Sequence, residues 1–133
     1  MTSALKKLLS LALLATLSLP ALAQDVELLR AEEAYRYAVA DTGDAIEIDW
    51  VIEDGYYLYR NKMSYESGSA AIVFGAPEMP AGEEHEDEFF GKQQIYRGRF
   101  FVRIPYTVVG DAPDAVDVVI KSQGCNEPIG LCY

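Results

Sequence analysis

Residues 45–53, AIEIDWVIE, alternate with a period of two. Ile46, Ile48, Trp50 and Ile52 fall on one side of an extended chain, and Glu47, Asp49 and Glu53 fall on the other. That period belongs to a strand with one buried face, and a helix of 3.6 residues per turn cannot use it. A chain carrying this stretch needs a sheet and a second layer to cover it. Asp54-Gly55 is a turn signal, and YYLYR follows it, so the two runs read as a β-hairpin.

The rest of the chain repeats the theme in short pieces. After one helical turn at Ala31–Ala34, Tyr35, Tyr37 and Val39 alternate on one side of a strand. AAIVFG is another strand, closed by the turn-forming APEMPAGEE. RFFVRIPYTVVG alternates around Phe101, Arg103 and Pro105, and the proline suggests an edge strand or a bulge. DAVDVVIKSQG is the last clear strand and runs into Cys125. Short strands at this spacing, divided by Gly, Pro and Asp turns, predict an antiparallel β-sandwich. No helical pattern is long enough to cover a parallel sheet, and no repeat or low-complexity segment interrupts the chain.

The N-terminus reads as an export signal. Lys6 and Lys7 precede an apolar run from Leu8 to Leu19, which Pro20 breaks, and Ala21-Leu22-Ala23 is a small-x-small cleavage pattern. The run is about a dozen residues long, short for the alternative of an uncleaved membrane anchor. Cleavage before Gln24 divides the chain into a signal peptide, 1–23, and one domain, 24–133, of a size that can hold its own core. Loss of the two lysines leaves 9 basic residues against 21 acidic ones, a net charge of −12. Such a balance disfavours nucleic acid and anionic membranes as partners. Half the residues are hydrophobic, which excludes a disordered chain.

Export places the two cysteines, Cys125 and Cys132, where disulfides persist. An even count in an exported domain usually means a structural bridge. This bridge would be a weak one, because a loop of about eight residues contributes about 2.5 kcal/mol in the chain-entropy model. A short loop holding Gly and Pro is also open to attack by a partner's thiolate. A structural bridge and a redox pair therefore both fit the spacing. It is not a CxxC spacing, and no helix begins after it to acidify a thiol. His85 is the one histidine, with no thiol or second imidazole at ligand spacing, so no metal or cofactor is expected.

Three stretches carry a resemblance: SQGCNEPIGLCY, DGYYLYRNKM (Asp54 to Met63) and HEDEFFGKQQIYRGR (His85 to Arg99). Taken in chain order, they resemble the N-terminal periplasmic domain of the bacterial thiol:disulfide interchange protein DsbD. The resemblance implies an immunoglobulin-like sandwich, in agreement with the strand pattern. It implies a redox role for Cys125 and Cys132, with Cys132 forming the mixed disulfide and Cys125 resolving it. It makes the segment from Asp87 to Gly91 a cap, in which Phe89 covers the sulfurs, Phe90 is its neighbour and Gly91 serves as a hinge. Asp87 and Glu88 flank that cap, and their charge disfavours a nearby thiolate. Tyr57 and Tyr59, on one face of YYLYR, would line the site. Without the resemblance, the two phenylalanines read as one core residue and one exposed neighbour, the tyrosines as ordinary strand aromatics, and GEEHEDE as a solvated acidic loop.

The implied reaction is an electron relay. A thioredoxin-like C-terminal domain, fed by a membrane domain, would reduce this domain. It would in turn reduce disulfide isomerases of the DsbC and DsbG type and the thioredoxin-like proteins of cytochrome c maturation. Two departures stand out. Six residues separate the cysteines where the family commonly has five, and the chain stops at Tyr133, before the final strand and the downstream domains expected of the family. The alternative function is an immunoglobulin-like binding module with a structural disulfide.

Overall fold

The computed structural model describes residues 27–133, so the expected signal peptide lies outside the described residues. The fold is two antiparallel sheets packed face to face, with a small ribbon beside them. The helical turn is α1 (Ala31–Ala34), and it leads into β1 (Tyr35–Asp41). The first sheet has the order β1-β2-β8-β5, with β2 at Ala45–Ile52, β5 at Ile72–Phe74 and β8 at Arg99–Val108. The second has the order β11-β10-β3-β7-β6: β3 is Tyr56–Tyr59, β6 Glu83–Asp87, β7 Gly91–Tyr96, β10 Gly124–Asn126 and β11 Leu131–Cys132. β4 (Ser64–Ser67) and β9 (Val118–Lys121) make the ribbon.

The alternation of β2 is realised as expected. Ile48, Trp50 and Ile52 are buried, and from β8 they meet Phe100, Val102 and Ile104 in the core. Trp50 stacks on Phe100 and donates its indole N–H to the Tyr65 hydroxyl at 3.2 Å, which satisfies a buried polar group. Across the sandwich, Tyr56, Leu58 and Tyr96 complete the core from the second sheet.

Three expectations change. The β2–β3 hairpin does not form: β3 pairs with β10 and β7, and the turn at Asp54-Gly55 carries the chain from one sheet to the other. All four residues of β3 are buried, so both its faces need cover, which an outer hairpin arm would lack. β8 is a central strand rather than an edge. β2 lies along one edge as far as Pro105 and β5 along the other from Tyr106, and Pro105 serves the β5 edge as an acceptor only, its carbonyl receiving the Gly75 N–H at 2.7 Å. In β1, Tyr37 and Val39 share the inner side with Tyr35, as their pairing with Trp50 and Ile48 requires, yet they are 52% and 45% exposed. β1 is the edge strand of its sheet, and nothing among the described residues closes over that end.

The acidic run that reads as a loop is a strand. Glu83–Asp87 pairs along its whole length with Gly91–Ile95, forming a hairpin at the edge of the second sheet. That hairpin joins the sheet through two residue pairs, Leu58 with Tyr96 and Tyr59 with Ile95. Its tip therefore extends past β3 and is held by side chains.

Candidate redox site

β3 separates two clusters. Tyr56 and Leu58 point into the sandwich, whereas Tyr57 and Tyr59 point outward and join Ile95 and Cys125 in a second apolar group. Phe90 and Cys132 pack against this second group. The site thus lies on the outer face of the second sheet, beneath the β6–β7 hairpin.

Cys125 and Cys132 are disulfide-bonded directly across the β10–β11 pair, with their Cα atoms 3.9 Å apart. Cys125 is buried at 1% exposure, and Cys132 is partly exposed. The depth of Cys125 follows from its place between neighbours, since it pairs with Tyr57 on one side and Cys132 on the other. Gly124 permits the approach. A Cβ there would lie 2.2 Å from the Tyr57 carbonyl oxygen and 2.7 Å from the Tyr35 hydroxyl, distances no side-chain carbon tolerates. The loop between the cysteines is fixed locally: Asn126 Oδ1 accepts the Ile129 N–H at 2.9 Å, and the Glu127 N–H reaches the Gly55 carbonyl at 2.8 Å.

Asp87 organises the hairpin tip. Its Oδ1 accepts the backbone N–H groups of Phe89 and Phe90 at 2.9 and 2.8 Å, an Asx-type turn that shapes the hairpin tip. Its Oδ2 accepts the hydroxyls of Tyr59, in a short bond, and of Tyr57 at 3.3 Å. The Tyr59 hydroxyl also lies 3.2 Å from Cys125 Sγ, so one oxygen touches both the carboxylate and the buried sulfur. Burial pushes the Asp87 carboxyl up, but the hydrogen bonds from Tyr59, the two backbone N–H groups and Tyr57 outweigh it and hold the group below its usual range. Burial, then the bond to Asp87, drives the Tyr59 hydroxyl well above the ordinary tyrosine range, so it stays protonated. His85 belongs here too, its ring 4.8 Å from that of Tyr57 and its Nε2 3.9 Å from Asp87 Oδ2.

The two phenylalanines divide as neighbours in a turn must. Phe90 is partly buried, makes a T-shaped contact with Tyr59 at 5.0 Å, and carries the Lys62 ammonium 4.6 Å from its ring centre. Phe89 keeps 49% of its surface in solvent. The ring that the structure packs on the cluster is therefore Phe90, whereas Phe89 was expected to be the covering one. Glu88 is exposed at the tip of the hairpin. Gly91 has φ +69° and pairs with Asp87, so it supplies the left-handed residue that closes a three-residue turn. Sequence reasoning missed Gly124, Lys62 and Arg97. The Arg97 guanidinium lies 5.2 Å from the Tyr57 ring and 2.8 Å from Glu127 in the inter-cysteine loop. All three lie inside the stretches that carry the resemblance, but each acts through partners distant in sequence, so the motifs do not announce their contacts.

Comparison with known proteins gives the family and supports the fold. Residues 25–133 match the family described as thiol:disulfide interchange protein DsbD, N-terminal. The DsbD of Klebsiella pneumoniae subsp. pneumoniae is 37% identical over 103 residues, covering 77% of this chain and 16% of that protein. The DsbD of Ralstonia nicotianae is 36% identical over 97% of this chain and 21% of its own length. This chain thus spans about a fifth or less of those two curated relatives. Among solved structures, the reduced DsbD N-terminal domain of Neisseria meningitidis superposes with a TM-score of 0.71 at 37% identity, over 80% of this chain and 82% of that one. The complex between the DsbD and PilB N-terminal domains of Neisseria meningitidis gives 0.67 at 36% identity, covering 80% of each chain.

Proposed function

The chain belongs to the family of DsbD N-terminal domains, and from that membership we propose that it is a protein-disulfide reductase of the periplasm, exported by residues 1–23 and working through Cys125 and Cys132. The observation that carries the reading is the unequal depth of the two sulfurs. Cys132, partly exposed, is the one a partner reaches, and Cys125 waits beneath Tyr59.

In the reduced domain the Cys132 thiolate attacks a sulfur of the partner's disulfide, and the partner's other sulfur leaves as a thiolate. The Cys125 thiolate then attacks Cys132 Sγ in the mixed disulfide. The Cys125–Cys132 bond forms, and the partner departs as a dithiol once protons are taken up. Two electrons pass to the partner, and a thioredoxin-like domain restores them by the same steps in reverse. Disulfide isomerases of the DsbC and DsbG type and thioredoxin-like proteins of cytochrome c maturation are the proposed acceptors. The DsbD C-terminal domain is the proposed donor. The complex of a related domain with the PilB N-terminal domain supports the docking of another protein on this one.

The hairpin tip, Asp87 to Gly91, is the cover. Phe90 closes over the cluster, and Phe89, half in solvent beside it, would limit the access of reagents to the sulfurs. The network from Asp87 through Tyr59 places a negative charge one hydroxyl away from Cys125, which disfavours its thiolate and slows stray oxidation.

Equilibrating the domain with thiol buffers tests the proposal. A reduction potential between about −270 and −120 mV, the span of known exchange proteins, is expected. A value below about −300 mV marks a structural bridge and leaves the binding-module reading in its place.

A further inference from the structure

Arg97 occupies the turn between β7 and β8, a site anchored to the sandwich by the Ile52 N–H on the Gly98 carbonyl at 2.8 Å. From there its side chain reaches three parts of the site. Nη1 lies 2.8 Å from Glu127 Oε2, in the loop between the cysteines. Nε lies 3.6 Å from Glu83 Oε2, at the base of the cover hairpin. The guanidinium also lies against the Tyr57 ring, whose hydroxyl donates to Asp87 at the hairpin tip. The side chain is 31% exposed, so a planar, five-donor fork is partly withdrawn from water among two carboxylates and an aromatic face. An ammonium, as a point charge, could not span the same set.

We propose that Arg97 is a positioning residue that couples the inter-cysteine loop to the cover, so that one guanidinium sets both how readily Cys125 and Cys132 close and how freely reagents reach them. The proposal rests on the redox reading of the site. Through Glu127 it holds the loop that brings Cys132 opposite Cys125. Through Glu83 and Tyr57 it holds the hairpin down. Displacement of the guanidinium, by a partner's carboxylate for example, would loosen both at once.

Two readouts on the full chain separate these arms. The first is the equilibrium with dithiothreitol, in which the reagent's two thiols become its cyclic disulfide while two electrons and two protons pass to Cys125 and Cys132. The second is the rate at which iodoacetamide alkylates the reduced domain, forming a sulfur–carbon bond with loss of iodide and the thiol proton. Glu127→Gln is expected to shift the equilibrium about two- to fivefold toward the dithiol, the size of an exposed ion pair, and to leave alkylation unchanged. Glu83→Gln is expected to speed alkylation by a similar factor and leave the equilibrium unchanged. Arg97→Gln should do both, and Arg97→Lys should recover at most one. A thermal melt of each variant controls for general loosening. The coupling is refuted if Arg97→Gln moves neither readout or one alone. It is refuted equally if the shifts of all variants merely track their melting temperatures. These are differences between variants, whereas the redox reading stands on the absolute potential of the unsubstituted chain, so either can fail without the other.

Discussion

Phe89 and Phe90 are adjacent in the chain and occupy opposite environments, which makes them a built-in pair of controls. Phe90 contacts the Tyr59 ring and the ammonium of Lys62, so Phe90→Ala removes packing from the second cluster. We expect it to destabilise the domain by about 1–3 kcal/mol, below the range for a fully buried ring. Phe89 is half in solvent and contributes little to folding. Phe89→Ala should leave the melt nearly unchanged and speed alkylation of the reduced dithiol, because reactivity needs both a thiolate and access. Melts and iodoacetamide rates for the two variants decide the matter. An unchanged rate for Phe89→Ala together with a faster one for Phe90→Ala would move the shield one residue along the hairpin.

At the scale of elements, the second sheet depends on how closely β10 approaches β3. Gly124→Ala would push a methyl group into the Tyr57 carbonyl and the Tyr35 hydroxyl. The strands must part for it to fit, and overpacking of this kind typically costs about 1–3 kcal/mol. Because Cys125 is the next residue, the same variant should also lift Sγ away from the Tyr59 hydroxyl. A urea titration reads the stability, and the thiol titration of the reduced variant reads the sulfur's surroundings. A wild-type midpoint would show that β10 has slack. The elements themselves were unequally legible. β2 could be read because one face is apolar and the other charged. β6, with the sequence EEHED, could not, because its inward residues His85 and Asp87 face a polar site and its outward ones face water, leaving no hydropathic period. The β2–β3 hairpin was misjudged for the opposite reason. A strand covered on both faces carries no alternation to show which sheet it joins. The site residues from Asp87 to Gly91 were found through resemblance, and nothing in their own periodicity marks them.

For the molecule as a whole, the disulfide and the core are separate supports. The sandwich core is built mainly from β2, β3, β7 and β8, with Tyr35 of β1 and Tyr65 of β4, and does not include the sulfurs. Reduction should therefore leave cooperative unfolding in place and lower stability by about 2.5 kcal/mol, the loop-closure contribution of so short a bridge. Melts with and without reductant test this, and loss of cooperativity on reduction would show the bridge to be part of the folding unit. Alkali probes the core itself. Burial, the largest influence, pushes the Tyr65 hydroxyl up to about 12, and Tyr35 is raised further by the same cause. In the unfolded chain a tyrosine gives up its proton near pH 10. Between pH 10 and 12 the native state thus binds more protons than the unfolded one, and stability must fall as pH rises. Tyr65 alone accounts for about 2–3 kcal/mol across that window. Tyr65→Phe should flatten the decline in urea titrations between pH 9 and 12, and an unchanged slope would mean that the hydroxyl titrates freely in the folded protein.

The alternation within β3 has a consequence for inheritance. Tyr56 and Leu58 answer to the sandwich, while Tyr57 and Tyr59 answer to the sulfurs. Selection for a foldable chain and selection for electron transfer act on alternate letters of one four-residue word. A lineage that lost the redox duty would be free to drift at the second and fourth letters while the first and third stayed fixed. A comparison of descendants with and without the cysteine pair would display that divergence as a period of two.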